Sequence, residues 1–218
     1  MAFINYTSNI VMVKIVYYGP GLSGKTTNLR YIYEKIDSSS RGEFICMEGE
    51  TGRTYFFDLL PIRAGFIREF RVNFQLMTVP GQVRYEASRR NVLMGTDGIV
   101  FVADSQEPLL ASNVASLESL YRNCRLLKID LDSLPLIFQF NKRDLEDMVT
   151  VDILNASLNP RGLPWIEAEA TGGRGVFETL REIAKLTIPK VREKILGSAD
   201  TSFPISYDAE KKVIPDLI

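Results

Sequence analysis

Residues Gly19-Pro20-Gly21-Leu22-Ser23-Gly24-Lys25-Thr26 carry the spacing G-x-x-x-x-G-K-[ST], and each fixed position has a physical task. Gly19, Gly21 and Gly24 permit backbone conformations in which successive N–H groups face one anion. Lys25 adds a mobile positive charge, and the Thr26 hydroxyl is a hard oxygen of the kind Mg²⁺ takes. This is chemistry for the phosphates of a nucleotide. Two further groupings could act on the same ligand. Asn141-Lys142-Arg143-Asp144 follows an apolar run. A carboxylate there can accept from the paired N1–H and exocyclic amine of guanine, a donor pair that adenine lacks. Asn141 can tie neighbouring loops together, and the stem of Lys142 can lie over a base. In Thr78-Val79-Pro80-Gly81-Gln82, Gly81 could turn its N–H toward a terminal phosphate and Gln82 could orient an attacking water.

These groups need a scaffold that brings them to one place. Ile10–Tyr18 is a β-rich apolar run directly before the glycines, and Leu29, Ile32, Tyr33 and Ile36 fall at helical spacing after them. Strand, loop, helix is the order that sets a helix N-terminus against a phosphate. Strands are expected at 10–18, 54–62, 70–79, 98–104, 135–141 and 164–168. The first strand, Gly98–Ala103 and Leu134–Phe140 are apolar almost throughout, Lys14 and Gln139 apart, as strands buried on both faces are. Helices are expected at 112–127 and 175–195, with Pro189 kinking or ending the second. The alternation predicts an α/β fold of three layers around a mainly parallel six-stranded sheet. The runs at 54–62 and 70–79 form a hairpin joined around Gly65, which makes one edge strand antiparallel. Asn141 to Asp144 then fall just past the C-terminal end of a central strand, where such sheets bind ligands.

Composition narrows the chemistry. The 218 residues have 26 basic and 27 acidic side chains, 45% hydrophobic content and no histidine. That balance offers no general attraction to nucleic acid. The lack of histidine excludes a Ser-His-Asp triad, a His general base and a His-ligated zinc site. Cys46 and Cys124 are too few for a disulfide framework, which suits a reducing, cytoplasmic setting. No apolar run is long enough to span a bilayer, and neither a signal peptide nor a lipidation motif is visible, so no direct membrane anchor is expected. Residues 1–196 are expected to form one domain. From 197 to 218 the periodicity fades, as in a tail packed loosely or solvated.

Phosphate loop, Gly81 with Gln82, and Asn-Lys-x-Asp, in this order, resemble a Ras-like small GTPase. Residues 19–29, Arg53-Thr54-x-Phe-Phe-Asp-x-Leu-Pro, Thr-Val-Pro-Gly-Gln and Asp97–Ser105 together are similar to the MglA group of bacterial small GTPases, which direct front–rear polarity in gliding and twitching motility. The resemblance implies a P-loop NTPase fold and a GTP/GDP site. Gly19, Pro20, Gly21, Leu22, Ser23, Gly24, Lys25, Thr26 and Thr27 would wrap the phosphates, and Thr26 and Thr54 would reach Mg²⁺. Gly81 would meet the γ-phosphate, and Asn141, Lys142, Asp144 and the Ala170 N–H would hold guanine. Gln82, Arg53 and Lys25 would be catalytic. Residues 37–57 and 78–95 would be the two switch segments. The implied partners are a dimeric roadblock-fold activating protein, MglB-like, and polarity or motility effectors, with the chain monomeric alone. Thr78 stands where most small GTPases carry an Asp near Mg²⁺, and Asp58 is the candidate replacement. Two other readings remain open on residues alone: an ATP-dependent phosphotransferase on the same phosphate loop, and a nucleotide-binding scaffold without turnover.

Overall fold

The apolar run Ile10–Tyr18 becomes strand β2, whose residues bury alternately on two sides until both faces are covered. That alternation builds the protein. Val11, Val13, Ile15 and Tyr17 pack with Leu29 and Ile32 on one face and with Leu180, Ile183 and Val191. Val16 and Tyr18 face the other way, toward Phe101, Phe138, Leu93, Leu120 and Leu154. Period-two side-chain direction thus separates two cores across one sheet. The chain is described from a computed structural model covering residues 2–48, 54–81 and 85–196.

In chain order the elements are β1 (Phe3–Asn5), β2 (Ile10–Tyr18), α1 (Lys25–Lys35), β3 (Ile45–Glu48), β4 (Thr54–Ile67), β5 (Phe70–Thr78), α2 (Glu86–Leu93), β6 (Gly98–Asp104), α3 (Leu110–Leu126), β7 (Leu136–Asn141), α4 (Val151–Leu158), β8 (Trp165–Glu167) and α5 (Val176–Leu196). Eight strands form one sheet in the order β3-β4-β5-β2-β6-β7-β8, with β1 beside β2. Pairing is parallel from β5 through β2, β6, β7 and β8. It is antiparallel at β3–β4, β4–β5 and β1–β2. All six expected strands are present, and two short ones add to them. Helices α1 and α5 cover one face, and α2, α3 and α4 the other.

One expectation changes and another is narrowed. The hairpin does not turn at Gly65. Strand β4 runs on to Ile67, and Gly65, at φ 129°, sits in a register shift between Arg63 and Gly65. The glycine serves a bulge, and the chain reverses at Arg68–Glu69, where Arg68 takes φ 52°. Pro189 does not end α5, which continues to Leu196. Its ring lies on the exposed side while Ile188 and Val191 are buried. The backbone bond it forfeits lies on the solvent side, and packing on the sheet carries the helix onward.

Candidate functional site

The six residues between β2 and α1 form the loop expected to hold phosphates. Gly19 has φ 148°, and a Cβ there would lie 2.2 Å from the Val102 carbonyl oxygen. Gly24 has φ 99°, and its Cβ would lie 2.1 Å from the Asn141 amide nitrogen. No other residue fits at either position. α1 opens with no acidic residue in its first turn, so its free N–H groups face the loop uncancelled. Lys25 Nζ donates to the carbonyls of Gly19 (3.1 Å) and Pro20 (2.5 Å). Burial, and next the charge of Arg89, bring its pKa down to about 7, against the opposing pull of Asp58. An anion in the loop would supply the negative charge this ammonium lacks.

One buried carboxylate organises the floor beside Lys25. Thr26 Oγ1 donates to Asp58 Oδ2 at 2.6 Å, and Thr78 Oγ1 donates to the same oxygen at 2.7 Å. The Asp58 N–H in turn donates to Thr78 Oγ1 at 3.0 Å. Asp58 reaches this point because the β4–β5 register pairs Leu59 with Met77, leaving Asp58 beside Thr78 at the strand end. Just beyond, Gly81 presses on the loop: its Cβ, if present, would lie 2.3 Å from Gly21 Cα and 2.5 Å from Gly21 N.

The second grouping stands at the same sheet edge. Asn141 ends β7, is 2% exposed, and bridges two loops. Its Nδ2 donates to the Ser23 carbonyl at 2.8 Å, and its Oδ1 accepts from the Ala170 N–H at 2.9 Å. Ala170 N–H, expected to meet the base, is here turned to Asn141. Lys142, at φ 66°, places Nζ 2.6 Å from Asp104 Oδ2, at the end of the neighbouring strand β6. Arg143 braces the turn through the Val149 carbonyl and Glu167. Asp144 is exposed beside it, as a group waiting for an external donor pair would be.

The structure thus gathers residues 19–27, Gly81, Asn141, Lys142, Asp144 and Ala170 at the C-terminal edge of the parallel strands. Thr54 opens β4. Arg53, Gln82 and the 197–218 tail lie outside the described residues. Asp104 and Arg89 escaped the sequence reading. A charged residue closing the apolar run Gly98–Ala103 was a signal for the first. Nothing marked the second. Among the described residues no cluster of three His, Cys, Asp or Glu side chains could hold a metal, and no helix is long and apolar enough to cross a membrane.

No protein-family model matches the chain. The Mutual gliding-motility protein MglA of Myxococcus xanthus (strain DK1622) is 50% identical to it over 193 residues, which are 88% of this chain and 99% of that protein. The chain belongs to the MglA family. The mainly parallel sheet, antiparallel on its β3–β4–β5 side, is a small-GTPase fold. Within this MglA-family chain Thr26 and Thr78 both donate to Asp58, which brings a carboxylate beside the threonine at position 78.

Proposed function

We propose that this chain is a GTP-binding switch that hydrolyses GTP to GDP and phosphate. Hydrolysis is slow alone and is stimulated by an MglB-like roadblock-fold dimer, and the GTP state controls bacterial polarity and motility through its effectors. The observation that carries this reading is Asn141. It joins the Ser23 carbonyl of the phosphate loop to the Ala170 loop, so the phosphate and guanine ends of one nucleotide share a frame.

Each residue has a definite task in this reading. The N–H groups of Gly19 and of residues 21–27, with Lys25, bind the phosphates, and Asp144 selects guanine. Thr26 and Thr54 would hold Mg²⁺ through their hydroxyls, hard oxygens of the kind it takes, and Asp58, which accepts from Thr26 and Thr78, would add a carboxylate oxygen to the set. When bound, Mg²⁺ supplies positive charge to the β- and γ-phosphate oxygens. Gln82 orients a water whose oxygen bonds to the γ-phosphorus as the bond to the β–γ bridging oxygen breaks. The water's proton passes to a phosphate oxygen. Arg53 donates to the charge that develops, a contribution of roughly 10³–10⁵ in rate for GTPases. The cytoplasm suits a chain with two cysteines, Cys46 and Cys124, too few for a disulfide framework.

Multiple-turnover hydrolysis of GTP and ATP, with and without a roadblock-fold protein, tests the reading. The expected result is slow GTP turnover, strong stimulation by the partner, and loss of that stimulation in Arg53→Ala and Gln82→Ala. Equal use of ATP, or nucleotide binding without turnover under either condition, would overturn it.

A further inference from the structure

Arg89 takes no part in the chemistry above, yet it is 2% exposed and lies beside the phosphate loop. Among the described residues its hydrogen bonds go to neutral acceptors. Nε donates to the Pro80 carbonyl at 3.0 Å, Nη2 to the Gly81 carbonyl at 2.8 Å, and Nη1 to Ser119 Oγ at 3.0 Å. The guanidinium carbon stands 5.8 Å from the centre of the Tyr18 ring. Burying a guanidinium against carbonyls is costly, and an apolar side chain of similar volume would serve a core at least as well. Its value lies in geometry: a rigid planar fork fixes the directions of the groups it holds.

The group it holds is the Pro80–Gly81 peptide. In a trans peptide the carbonyl and the N–H point in opposite directions, and no peptide bond among the described residues is cis. Fixing the Pro80 oxygen therefore fixes the Gly81 N–H as well. Gly81 is also the residue whose backbone touches Gly21 of the phosphate loop. On the far side, Ser119 is itself held by Tyr18 and Asn123 (3.0 and 3.3 Å) and donates to Glu86 at 3.3 Å, which pairs with Arg122 at 3.0 Å.

We propose that Arg89 is a positioning residue for the terminal phosphate. It holds the Gly81 N–H in the direction that meets a γ-phosphate and anchors that direction to α3 through Ser119. This rests on the reading of the site as one for a nucleoside triphosphate. A core arginine would affect GDP and GTP alike; a positioning arginine separates them.

The test measures dissociation constants of fluorescent GDP and of a fluorescent, non-hydrolysable GTP analogue for the full chain and for Arg89→Ala, Arg89→Lys and Ser119→Ala. Single-turnover GTP hydrolysis is followed on the same proteins. In Arg89→Ala the triphosphate affinity should fall ~10-fold or more while GDP affinity stays within about twofold, and the hydrolysis rate should fall as well. Arg89→Lys, with one donor point in place of the fork, should recover only part of the loss. Ser119→Ala, which keeps the guanidinium buried, should shift the ratio in the same direction by a smaller factor. If Arg89→Ala does not fold, Ser119→Ala decides by the same ratio. An unchanged GTP-to-GDP ratio in the folded variants, or an equal loss for both nucleotides, overturns the proposal. Failure of the unmodified chain to bind guanine nucleotides would overturn the proposed function instead, so the two failures are distinct.

Discussion

Asp58→Asn is a near-isosteric change that removes one charge from a fully buried site. In the native chain one oxygen of Asp58 accepts from two hydroxyls, Thr26 at 2.6 Å and Thr78 at 2.7 Å. Charge-assisted bonds of this kind contribute about 1.5–3 kcal/mol each, against about 1 for neutral ones, so the change costs about 2 kcal/mol in stability. Its cost to a cation is larger. A unit charge at ~4 Å in an effective dielectric of ~20 is worth about 4 kcal/mol, and even half of that is roughly 30-fold in affinity. The assay is the release rate of fluorescent GDP with Mg²⁺ and with EDTA. The native chain should release slowly in Mg²⁺ and much faster in EDTA. Asp58→Asn should release fast in both. Thr78→Asp alone sets two carboxylates against each other at roughly the same Coulomb cost. The double variant Asp58→Asn/Thr78→Asp restores one carboxylate to the spot and should recover the Mg²⁺ dependence. If Asp58→Asn lowers Tm but keeps the native ratio of EDTA to Mg²⁺ release rates, Asp58 is only a structural hydrogen-bond acceptor and the reasoning fails.

Asp144→Asn should shift preference from guanine toward xanthine nucleotides, read by competition against fluorescent GDP. Because Asp144 is exposed, Tm should stay within the small range of ordinary surface changes, about 0.5 kcal/mol in stability. Asn141→Ala strands the Ser23 carbonyl and the Ala170 N–H, both buried partners in bonds of 2.8 and 2.9 Å. A loss of about 2–4 kcal/mol and a fall of at least ~30-fold in nucleotide affinity are expected together; loss of stability with native affinity would show that the bridge does not shape the site.

What the sequence revealed, and what it concealed, divides along a physical line. The phosphate loop was legible because its demands are local: Gly19 and Gly24 are fixed by φ and by backbone approach, and only glycine meets them. The strands β2, β6 and β7 were legible because burial on both faces leaves few polar interruptions, Lys14 in β2 and Gln139 in β7. Asp58 needed a register. Its meeting with Thr78 depends on which residues of β4 and β5 face each other, and a bulge at Gly65 with a turn at Arg68–Glu69 sets that pairing. A glycine read as a turn displaces such a register by several residues. Helix α2 was hidden for a different reason. Of its three buried residues, Arg89, Val92 and Leu93, one is charged, so the apolar stripe that marks α3 and α5 is too short to see. The helix expected at 175–195 is α5, and it runs through Pro189 because its packing on the sheet outweighs proline's local cost.

The position of Asp58 on β4 has a consequence for how the site is built. A carboxylate at position 78 would belong to the same short segment as Gly81. Here the carboxylate comes from one strand and its hydroxyl partner, Thr78, from the next. Thr78, Val79 and Pro80 are all buried, and the segment is gripped at both ends: by Asp58 at Thr78 and by Arg89 at Pro80 and Gly81. A buried stretch held this way has no cheap partial displacement, because moving one residue breaks charge-assisted bonds at an end without exposing their partners to water. It either keeps both grips or loses them together. Asp58 and the Gly81 amide are therefore coupled through Thr78 and three peptide bonds, and helix α3, which holds Arg89 through Ser119, gains leverage on both.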